Sequence, residues 1–425
     1  APILEQFALN MSSGVLSLTF DETVESTSIV YNGGFVFMAS AGGVDYTLLG
    51  GSTASEDGIV LHILLDKNDL DMIKLNEYMA TRLNNTEITA KMGSVQDMRG
   101  NNVALTRLVA SAFAQDIVVP TLVDFEFNLN LTLFILNFDE PVRISTFLPT
   151  SLTLQSGAGA VATTHGFTLT GGSTSSPNGL QVRLTLSVDD GNRVKADPRL
   201  YVSLGSSYLS LISSLVQDMV GNPIVAIAPS NAKQASQFVE DTIRPVLYRF
   251  DLDMNLGLLT LSFVETVNVS SLVVQQVTLQ SLSSTTNAVT LTGGSAVSLT
   301  DATWLTIQLS TADMNELKRK EIGRSDTTSW LTVTENAILD MSGLKVIPLV
   351  NGQSALGVTN YTADTTKPTL ESFDLSIDGF ALVMTFSETV RTSTLATTGI
   401  TIQSSGLGGE LSQTLTVGSA TQSSD

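Results

Sequence analysis

Carboxylates are the main groups in this chain that could do chemistry. The 425 residues contain 41 Asp and Glu against 21 Lys and Arg, two His and no Cys, which gives a formal net charge of −20. Without cysteine there is no thiol nucleophile, no disulfide and no thiolate zinc site. The two histidines, His62 and His165, lie in unrelated segments, so a histidine-based site is not expected. The acidic balance argues against nucleic acid as a partner, because phosphates require a basic surface.

Cation binding is the first role that these carboxylates suggest. An aspartate stands four residues before each of three prolines, at Asp116, Asp241 and Asp364. Calcium takes roughly six to eight oxygen ligands, which carboxylates and loop carbonyls can supply. One interpretation is therefore a calcium site at each position, with calcium as the one cofactor considered. The acids of a second recurring loop are further candidates: Asp97, Asp218 and Asp340. The alternative is structural, with each aspartate capping a turn before a stiff proline segment.

Acid–base catalysis is the second role that paired acids could have. Asp21-Glu22 and Asp139-Glu140 are adjacent pairs, whereas a glycosidase needs two carboxylates that face each other across a sugar. Neighbouring side chains on a strand point to opposite faces. The corresponding pairs later in the chain are Val264-Glu265 and Ser387-Glu388, so the pairing is not kept. The sequence predicts no enzyme, with no catalytic and no cofactor-binding residues.

Five Asn-x-Ser/Thr sequons are candidate glycosylation sites: Asn10, Asn84, Asn130, Asn268 and Asn360. A glycan requires an exposed loop and passage through a secretory route. In a chain this rich in Ser and Thr some sequons also arise by chance. We expect glycan on at least two of them in a secreted eukaryotic protein and on none in a bacterial protein.

A long-period repeat organises all of these groups. Four prolines recur with a period of about 120 residues, the size of a β-sandwich domain: Pro2, Pro120, Pro245 and Pro368. Five residues after each proline stands a phenylalanine, at Phe7, Phe125, Phe250 and Phe373. This phase predicts three full repeats at residues 1–119, 120–244 and 245–367, and a partial repeat at 368–425. The fourth copy stops about half-way, so we expect a longer array or completion by another chain.

Strands with polar turns dominate each repeat. Leu16, Leu18 and Phe20 alternate with Ser17 and Thr19, which is the period of a half-buried strand. Turn residues before this strand predict an opening hairpin. We also predict one short helical turn per repeat, since an aspartate lies five residues before a lysine in three copies, as Asp69–Lys74, Asp190–Lys195 and Asp313–Lys318. The aspartate would cap the first amides and the lysine would face the last carbonyls.

Three motifs carry a resemblance to a known family. These are Phe20-Asp21-Glu22-Thr23-Val24 at a strand end, the D-x-x-G-N loops at Asp97 and Asp218, and the linker from Asp364 to Pro368. With them the chain resembles the bacterial Ig-like repeats of S-layer proteins and large adhesins. It is also similar to repeats in giant algal and protist surface proteins, including those of flagellar hairs (mastigonemes). The resemblance implies an all-β fold of tandem Ig-like β-sandwich domains in a head-to-tail rod.

The predicted function follows from this architecture. We expect an extracellular structural protein whose tandem repeats build a filament, stalk or surface layer, by self-assembly, on the cell surface or on a surface appendage. The alternative is the extender region of a cell-surface adhesin whose ligand-binding domain lies outside this chain. The expected partner is another copy or neighbouring repeats, with glycans as further candidates. No apolar run approaches the roughly 20 residues that span a bilayer, so no membrane insertion is expected within this chain.

Overall fold

The computed structural model describes residues 1–159, 165–406 and 411–418. They form two compact units, Ala1–Asp241 and Thr242–Asp425. The fold is all-β, as the alternation predicts, and each complete repeat is a two-sheet sandwich, as the resemblance to Ig-like repeats implies. We keep the four predicted repeats as names for the segments below, and every sheet lies inside one of them.

The first unit contains repeats 1 and 2, and each has two sheets around one core. The strands of repeat 1 are β1 (Leu4–Asn10), β2 (Val15–Glu25), β3 (Phe35–Met38), β4 (Tyr46–Thr47), β5 (Gly58–Leu64), β6 (Glu87–Ala90), β7 (Gln96–Asp97), β8 (Thr106–Val109) and β9 (Ala112–Ala114). The sheet orders are β5-β2-β1-β9, with β7 also pairing with β2, and β4-β3-β6-β8. Its helical segments are Ser26–Ser28, Tyr31–Gly34, Lys67–Leu75 and Leu83–Asn85.

Repeat 2 has the same arrangement. Its strands are β10 (Leu122–Asn128), β11 (Leu133–Arg143), β12 (Leu152–Gln155), β13 (Gly166–Thr168), β14 (Gly179–Thr185), β15 (Tyr208–Leu211), β16 (Gln217–Asp218), β17 (Lys233–Gln234) and β18 (Gln237–Val239). The sheet orders are β14-β11-β10-β18, with β16 also pairing with β11, and β13-β12-β15-β17. Its helical segments are Ile144–Thr146, Pro149–Ser151, Val188–Ala196, Leu204–Ser206 and Pro229–Asn231.

The second unit contains repeat 3 and the partial repeat 4. The strands of repeat 3 are β19 (Leu247–Asp253), β20 (Leu258–Asn268), β21 (Val277–Gln280), β22 (Ala288–Thr290), β23 (Ser295–Ala296), β24 (Ala302–Gln308), β25 (Trp330–Val333), β26 (Leu339–Asp340), β27 (Leu356–Gly357) and β28 (Asn360–Thr362). The sheet orders are β23-β24-β20-β19-β28, with β26 also pairing with β20, and β22-β21-β25-β27. The partial repeat has two hairpins, β29 (Leu370–Ser376) with β30 (Ala381–Phe386), and β31 (Thr401–Gln403) with β32 (Ser412–Thr414). The helical segments are Val269–Ser271, Val274–Gln276, Thr311–Arg319, Asp326–Thr328, Thr392–Thr394 and Thr397–Gly399.

The predicted alternation sets the core of each complete repeat. Leu16, Leu18 and Phe20 of β2 are at most 2% exposed, and the matching residues of β11 and β20 are also buried. The opening hairpin is confirmed in all four copies, because β1, β10, β19 and β29 each pair antiparallel with the next strand. In the partial repeat the face that corresponds to this core is less buried. Phe373 of β29, for example, is 57% exposed.

A Gly-Gly-Ser segment in each complete repeat covers one sheet edge. Ser52 exchanges two backbone hydrogen bonds with Leu64 of the edge strand β5. Beyond it, Thr53 Oγ1 donates to the carbonyl of His62, and Ser55 Oγ accepts from the amide of His62. The second glycine is required at this point: at Gly172 (φ +141°) a Cβ would come within 2.7 Å of Leu184. Side-chain hydroxyls thus satisfy edge groups that could otherwise pair with another chain.

Candidate functional site: a buried ionic joint between repeats

The helix of each complete repeat is fixed by an aspartate in its first turn. In repeat 2, Asp190 accepts hydrogen bonds from the amides of Thr170 (2.9 Å) and Gly171 (3.0 Å). Asp69 and Asp313 hold the corresponding amides of the other complete repeats. These aspartates do not cap their own helices as predicted, because their carboxylates serve the Gly-Gly-Ser segment instead.

The helix N-caps are other residues. In repeats 2 and 3 the N-cap is a serine, Ser187 or Ser310, whose side chain accepts from the amide of the aspartate three residues later. The N-cap therefore lies three residues before the aspartate that was predicted to cap the helix. The helices are also longer than one turn, at nine residues each.

At the C-terminal end of the helix Lys67–Leu75 in repeat 1, Lys74 lies between two carboxylates. Its Nζ is 2.6 Å from Asp116 Oδ2 and 2.5 Å from Glu140 Oε2. Asp116 belongs to the linker, and Glu140 lies in β11 of the next repeat. The three side chains are 9%, 4% and 5% exposed, in that order. One ammonium group thus ties a helix, a linker and the following sandwich together, instead of facing the helix carbonyls as predicted.

The second unit repeats this arrangement. Lys318 Nζ lies 2.8 Å from Asp364 Oδ2 and pairs with Glu388 of the partial repeat. Here the lysine and the aspartate are 21% and 24% exposed, and Glu388 is 13% exposed. In repeat 2, Lys195 pairs with the linker Asp241 at 2.8 Å. We call the group Lys74, Asp116 and Glu140 the first joint, and the group Lys318, Asp364 and Glu388 the second joint.

The D-x-x-G-N loop of repeat 2 also contacts the linker between repeats 1 and 2. Asp218 Oδ1 accepts from three amides of its own loop, and its Oδ2 accepts from Asn222 Nδ2. Asn222 Nδ2 also donates to the linker carbonyls of Asp116 (3.2 Å) and Val118 (3.1 Å). The motif therefore shapes a turn and positions an amide against the linker.

A pair of opposite charges lies beside each joint. Arg143 of β11 pairs with Glu77, which follows the first helix, at 3.2 Å. In the second unit Arg391 pairs with Glu321 at the same repeat positions. These four side chains are 36% to 56% exposed, so we expect each pair to contribute little to stability on its own.

The first joint holds more negative than positive charge. Oxygens of Asp116, Glu140 and Asp218 lie within 4.8 Å of one another, and all three residues are buried. Burial raises the pKa of Glu140 to about 7; the Lys74 ammonium lowers it, and the charges of Asp116 and Asp218 raise it further. Burial alone would lower the pKa of Lys74, but its bonds to Asp116 and Glu140 outweigh burial and raise it. Glu140 Oε1 is buried and accepts no hydrogen bond among the described residues.

The three linker aspartates predicted as calcium ligands all pair with a lysine. In the first joint the ammonium group already touches two of the carboxylates that a cation would use. Calcium at Asp116, Asp241 and Asp364 stays a prediction.

The paired acids and the sequons have clear positions. Asp139 accepts from the amide and the hydroxyl of Thr121, whereas its neighbour Glu140 enters the joint. Of the five sequons, Asn84 and Asn360 are exposed and Asn10, Asn130 and Asn268 are half-buried. N-glycan at these five positions stays a prediction.

The contact between lysine and the next repeat's glutamate was missed by the sequence argument. The sequence did contain a signal for it, because the lysine, the linker aspartate and the strand-end glutamate recur at the same spacing in the repeats.

Among the described residues, no helix is both long and apolar enough to cross a membrane.

Comparisons with known proteins give remote likenesses. No family model matches the chain, and no curated protein does. Among solved structures, the FN1–FN3 domains of chicken CNTN1 are 9% identical, with a TM-score of 0.26, over 85% of this chain and 99% of that one. The S-layer protein rSbsC is 12% identical, with a TM-score of 0.19, over 91% of this chain and 63% of that one. A crystallised segment of titin is 11% identical, with a TM-score of 0.19, over 83% of this chain and 99% of that one.

Proposed function

We propose that this chain is an extracellular structural protein whose tandem sandwiches build a filament, stalk or surface layer by self-assembly. A flagellar hair is one example of such a filament. The observation that carries the proposal is the recurring joint of lysine, linker aspartate and next-repeat glutamate. A rod built from repeats needs connections that resist bending, and its stability is a sum over repeats and their interfaces.

The joint supplies such a connection. Lys74 bonds to the linker and to the next repeat at once, with all three side chains at most 9% exposed. Removing one partner of a buried ion pair costs about 3–5 kcal/mol, because a charge is left buried and uncompensated. Bending at the first joint would separate these same groups. The edge strand β5, whose His62 backbone groups bond to Thr53 and Ser55, is a poor template for strand addition, which favours association through other surfaces.

The first test is assembly of the full chain, followed by electron microscopy and small-angle scattering. We expect ordered filaments or oligomers at micromolar concentration. A monodisperse monomer at that concentration would contradict self-assembly and favour the adhesin-extender alternative.

The second test separates the joint from the assembly. Lys74→Met should shorten the maximum dimension measured by scattering at dilution, because the first joint loosens. Lys91→Met is the matched control, since Lys91 is exposed and lies in the same repeat. Equal dimensions for both variants would contradict a stiffening role.

We also propose N-glycan at the sequons, with Asn84 and Asn360 first because they are exposed. The mass of protein from its native source should exceed the polypeptide mass, and a mass equal to that of the bare chain would exclude glycan.

Calcium at the linkers would have to displace Lys74 from Asp116. Titration calorimetry that detects no heat at millimolar calcium would exclude that site.

A further inference from the structure

We propose that an N-glycan on Asn360 lies across one sheet face of repeat 3 and stacks a sugar ring on Trp304. The face is the outer side of the sheet that contains β28, β19, β20 and β24, and we call it the tryptophan face. The inference rests on the N-glycan proposed above for Asn360 and adds the surface that receives it. It is independent of filament assembly.

Strand register places Asn360 and Trp304 on the same side of this sheet. Asn360 of β28 pairs with Asp251 of β19, and Asp251 pairs with Thr260 of β20. Thr260 pairs in turn with Thr306 of β24. Trp304 precedes Thr306 by two residues, and residues two apart on a strand share a face. The side-chain contacts agree with this register. Asn360 Nδ2 donates to Asp251 Oδ2 at 3.4 Å, and the hydroxyls of Thr260 and Thr306 are 2.9 Å apart.

Trp304 presents an open indole ring to this face. It is 53% exposed, whereas the next residue, Leu305, is fully buried in the core. The residue that faces Trp304 on β20 is Ser262, whose side chain is too short to cover an indole. The second tryptophan, Trp330, differs, because it is half-buried and its Nε1 donates to the carbonyl of Thr327. The uncovered part of the Trp304 ring is therefore open to a partner.

A sugar ring matches this surface in chemistry. The face of an aromatic ring carries partial negative charge, and the C–H groups on one side of a pyranose ring are apolar and weakly positive. Between Asn360 and Trp304 the surface is polar, because Arg249 holds Asp251 through two hydrogen bonds of 2.9 and 3.1 Å. A guanidinium donates hydrogen bonds, a carboxylate accepts them, and the hydroxyl of Ser262 does both. These groups are the partners that sugar hydroxyls require.

The separation of the two residues also fits an N-glycan. Three strand spacings of about 4.8 Å, together with a shift of two residues at about 3.3 Å each, put the Cα atoms of Asn360 and Trp304 roughly 16 Å apart. The side chain of Asn360 is exposed, so the first sugar can be attached without moving the backbone. An N-glycan is bulky and several sugars long, and it can therefore reach the indole across the sheet.

Repeats 1 and 2 give an internal comparison. The same strand pairings place other residues at the positions of Trp304 and Asn360, namely Val60 and Ala112 in repeat 1 and Gln181 and Gln237 in repeat 2. In repeat 2 the residue at the tryptophan position is satisfied within its own sheet, because Gln181 Nε2 donates to Asn137 Oδ1 at 3.0 Å. The sequon and the tryptophan are thus present together in repeat 3 and replaced together in the other two complete repeats, as expected if the ring serves the glycan.

The test is the accessibility of Trp304 in the glycosylated full chain, secreted by a eukaryotic host. The chain has two tryptophans, so Trp330→Phe leaves Trp304 as the only one. In this background acrylamide should quench the fluorescence less, and the emission should lie at shorter wavelength, than after Asn360→Gln or Thr362→Ala, each of which removes the sequon. Asn84→Gln is the matched control, since it removes the other exposed sequon and should leave the quenching unchanged.

Hydrogen exchange gives a second measurement in the chain that keeps both tryptophans. The cycle of Asn360→Gln, Trp304→Gln and the double variant isolates the coupling between glycan and ring. If the stacking is as strong as that of an aromatic pair, the glycan should slow exchange in β24 roughly 2- to 10-fold. It should have no such effect in Trp304→Gln. Because Trp304 is exposed, this substitution leaves the core intact.

Peptide mapping of Asn360 distinguishes the outcomes. An unoccupied Asn360 would overturn this inference together with the N-glycan proposed at that position. An occupied Asn360 with equal quenching before and after removal of the sequon would overturn this inference alone. A Trp304 that is shielded in both chains, and only at high protein concentration, would show that a second copy covers the tryptophan face and would also overturn the inference.

Discussion

The aspartate that joins the helix to the Gly-Gly-Ser segment can be tested with an adjacent control. Asp189 and Asp190 are neighbours in the first turn of the same helix, and only Asp190 is buried. Asp190→Asn and Asp189→Asn remove the same charge from the same helix N-terminus. Any effect through the helix dipole is therefore shared, at about 0.3–1 kcal/mol.

The difference between the two variants comes from the hydrogen bonds of Asp190. Its carboxylate accepts from the amides of Thr170 and Gly171 and from the hydroxyl of Thr170, at 2.7 to 3.0 Å. Bonds to a charged group are roughly twice as strong as neutral ones, and each contributes about 1.5–3 kcal/mol. The asparagine keeps the shape but loses the charge. Because Thr170 is exposed and water can replace part of what is lost, we expect a cost of about 2 kcal/mol beyond the control.

Hydrogen exchange read by mass spectrometry measures this cost locally, which suits a chain of several domains. A loss of about 2 kcal/mol should speed exchange at Thr170 and Gly171 roughly 30-fold. The amides of Thr292 and Gly293, held by Asp313 in repeat 3, should exchange as in the wild type. Equal exchange in Asp190→Asn and Asp189→Asn would refute the assignment of these hydrogen bonds.

Three further results are expected. Because the pKa of Glu140 is about 7 in the folded chain against 4.5 ordinarily, its stabilising effect is complete below pH 4.5. It is lost as the pH rises through 7, by about 3 kcal/mol; Glu140→Gln should remove this slope from urea unfolding, and an unchanged slope would contradict it. Phe127→Ala should cost about 4 kcal/mol in calorimetry, since Phe127 is buried against Phe134 and Tyr201; a loss below 1 kcal/mol would be inconsistent with that packing. Ser55→Ala uncovers the amide of His62 on the edge strand and should increase light scattering through edge pairing, whereas unchanged scattering would argue against edge protection.

The fold could be predicted from the sequence because the evidence for it is local. Alternation along Leu16, Leu18 and Phe20 assigns each side chain to one face, and those residues are buried. The roles of the helix aspartates could not be predicted in this way. Asp190 serves amides some 20 residues earlier in the chain, and local sequence cannot show which distant backbone groups compete for a carboxylate.

The joint shows how repeats reveal contacts that a single copy hides. Each repeat has two adjacent residues at this strand end. The first position varies along the chain, as Asp21, Asp139, Val264 and Ser387, whereas the second position is always a glutamate. In the described joints that glutamate contacts the lysine of the preceding repeat, so a side chain needed for such a contact stays while its neighbour changes.

The Arg–Glu pair beside each joint also varies between repeats in a way that fits a contact. Glu77 pairs with Arg143, and Glu321 pairs with Arg391. The equivalent positions in the sequences of repeats 2 and 3 are Pro198 and Asn268. Both partners are absent together, as expected if each residue is useful only when the other is present. The lysine, the linker aspartate and the glutamate recur along the sequence, and the first and second joints also share the Arg–Glu pair.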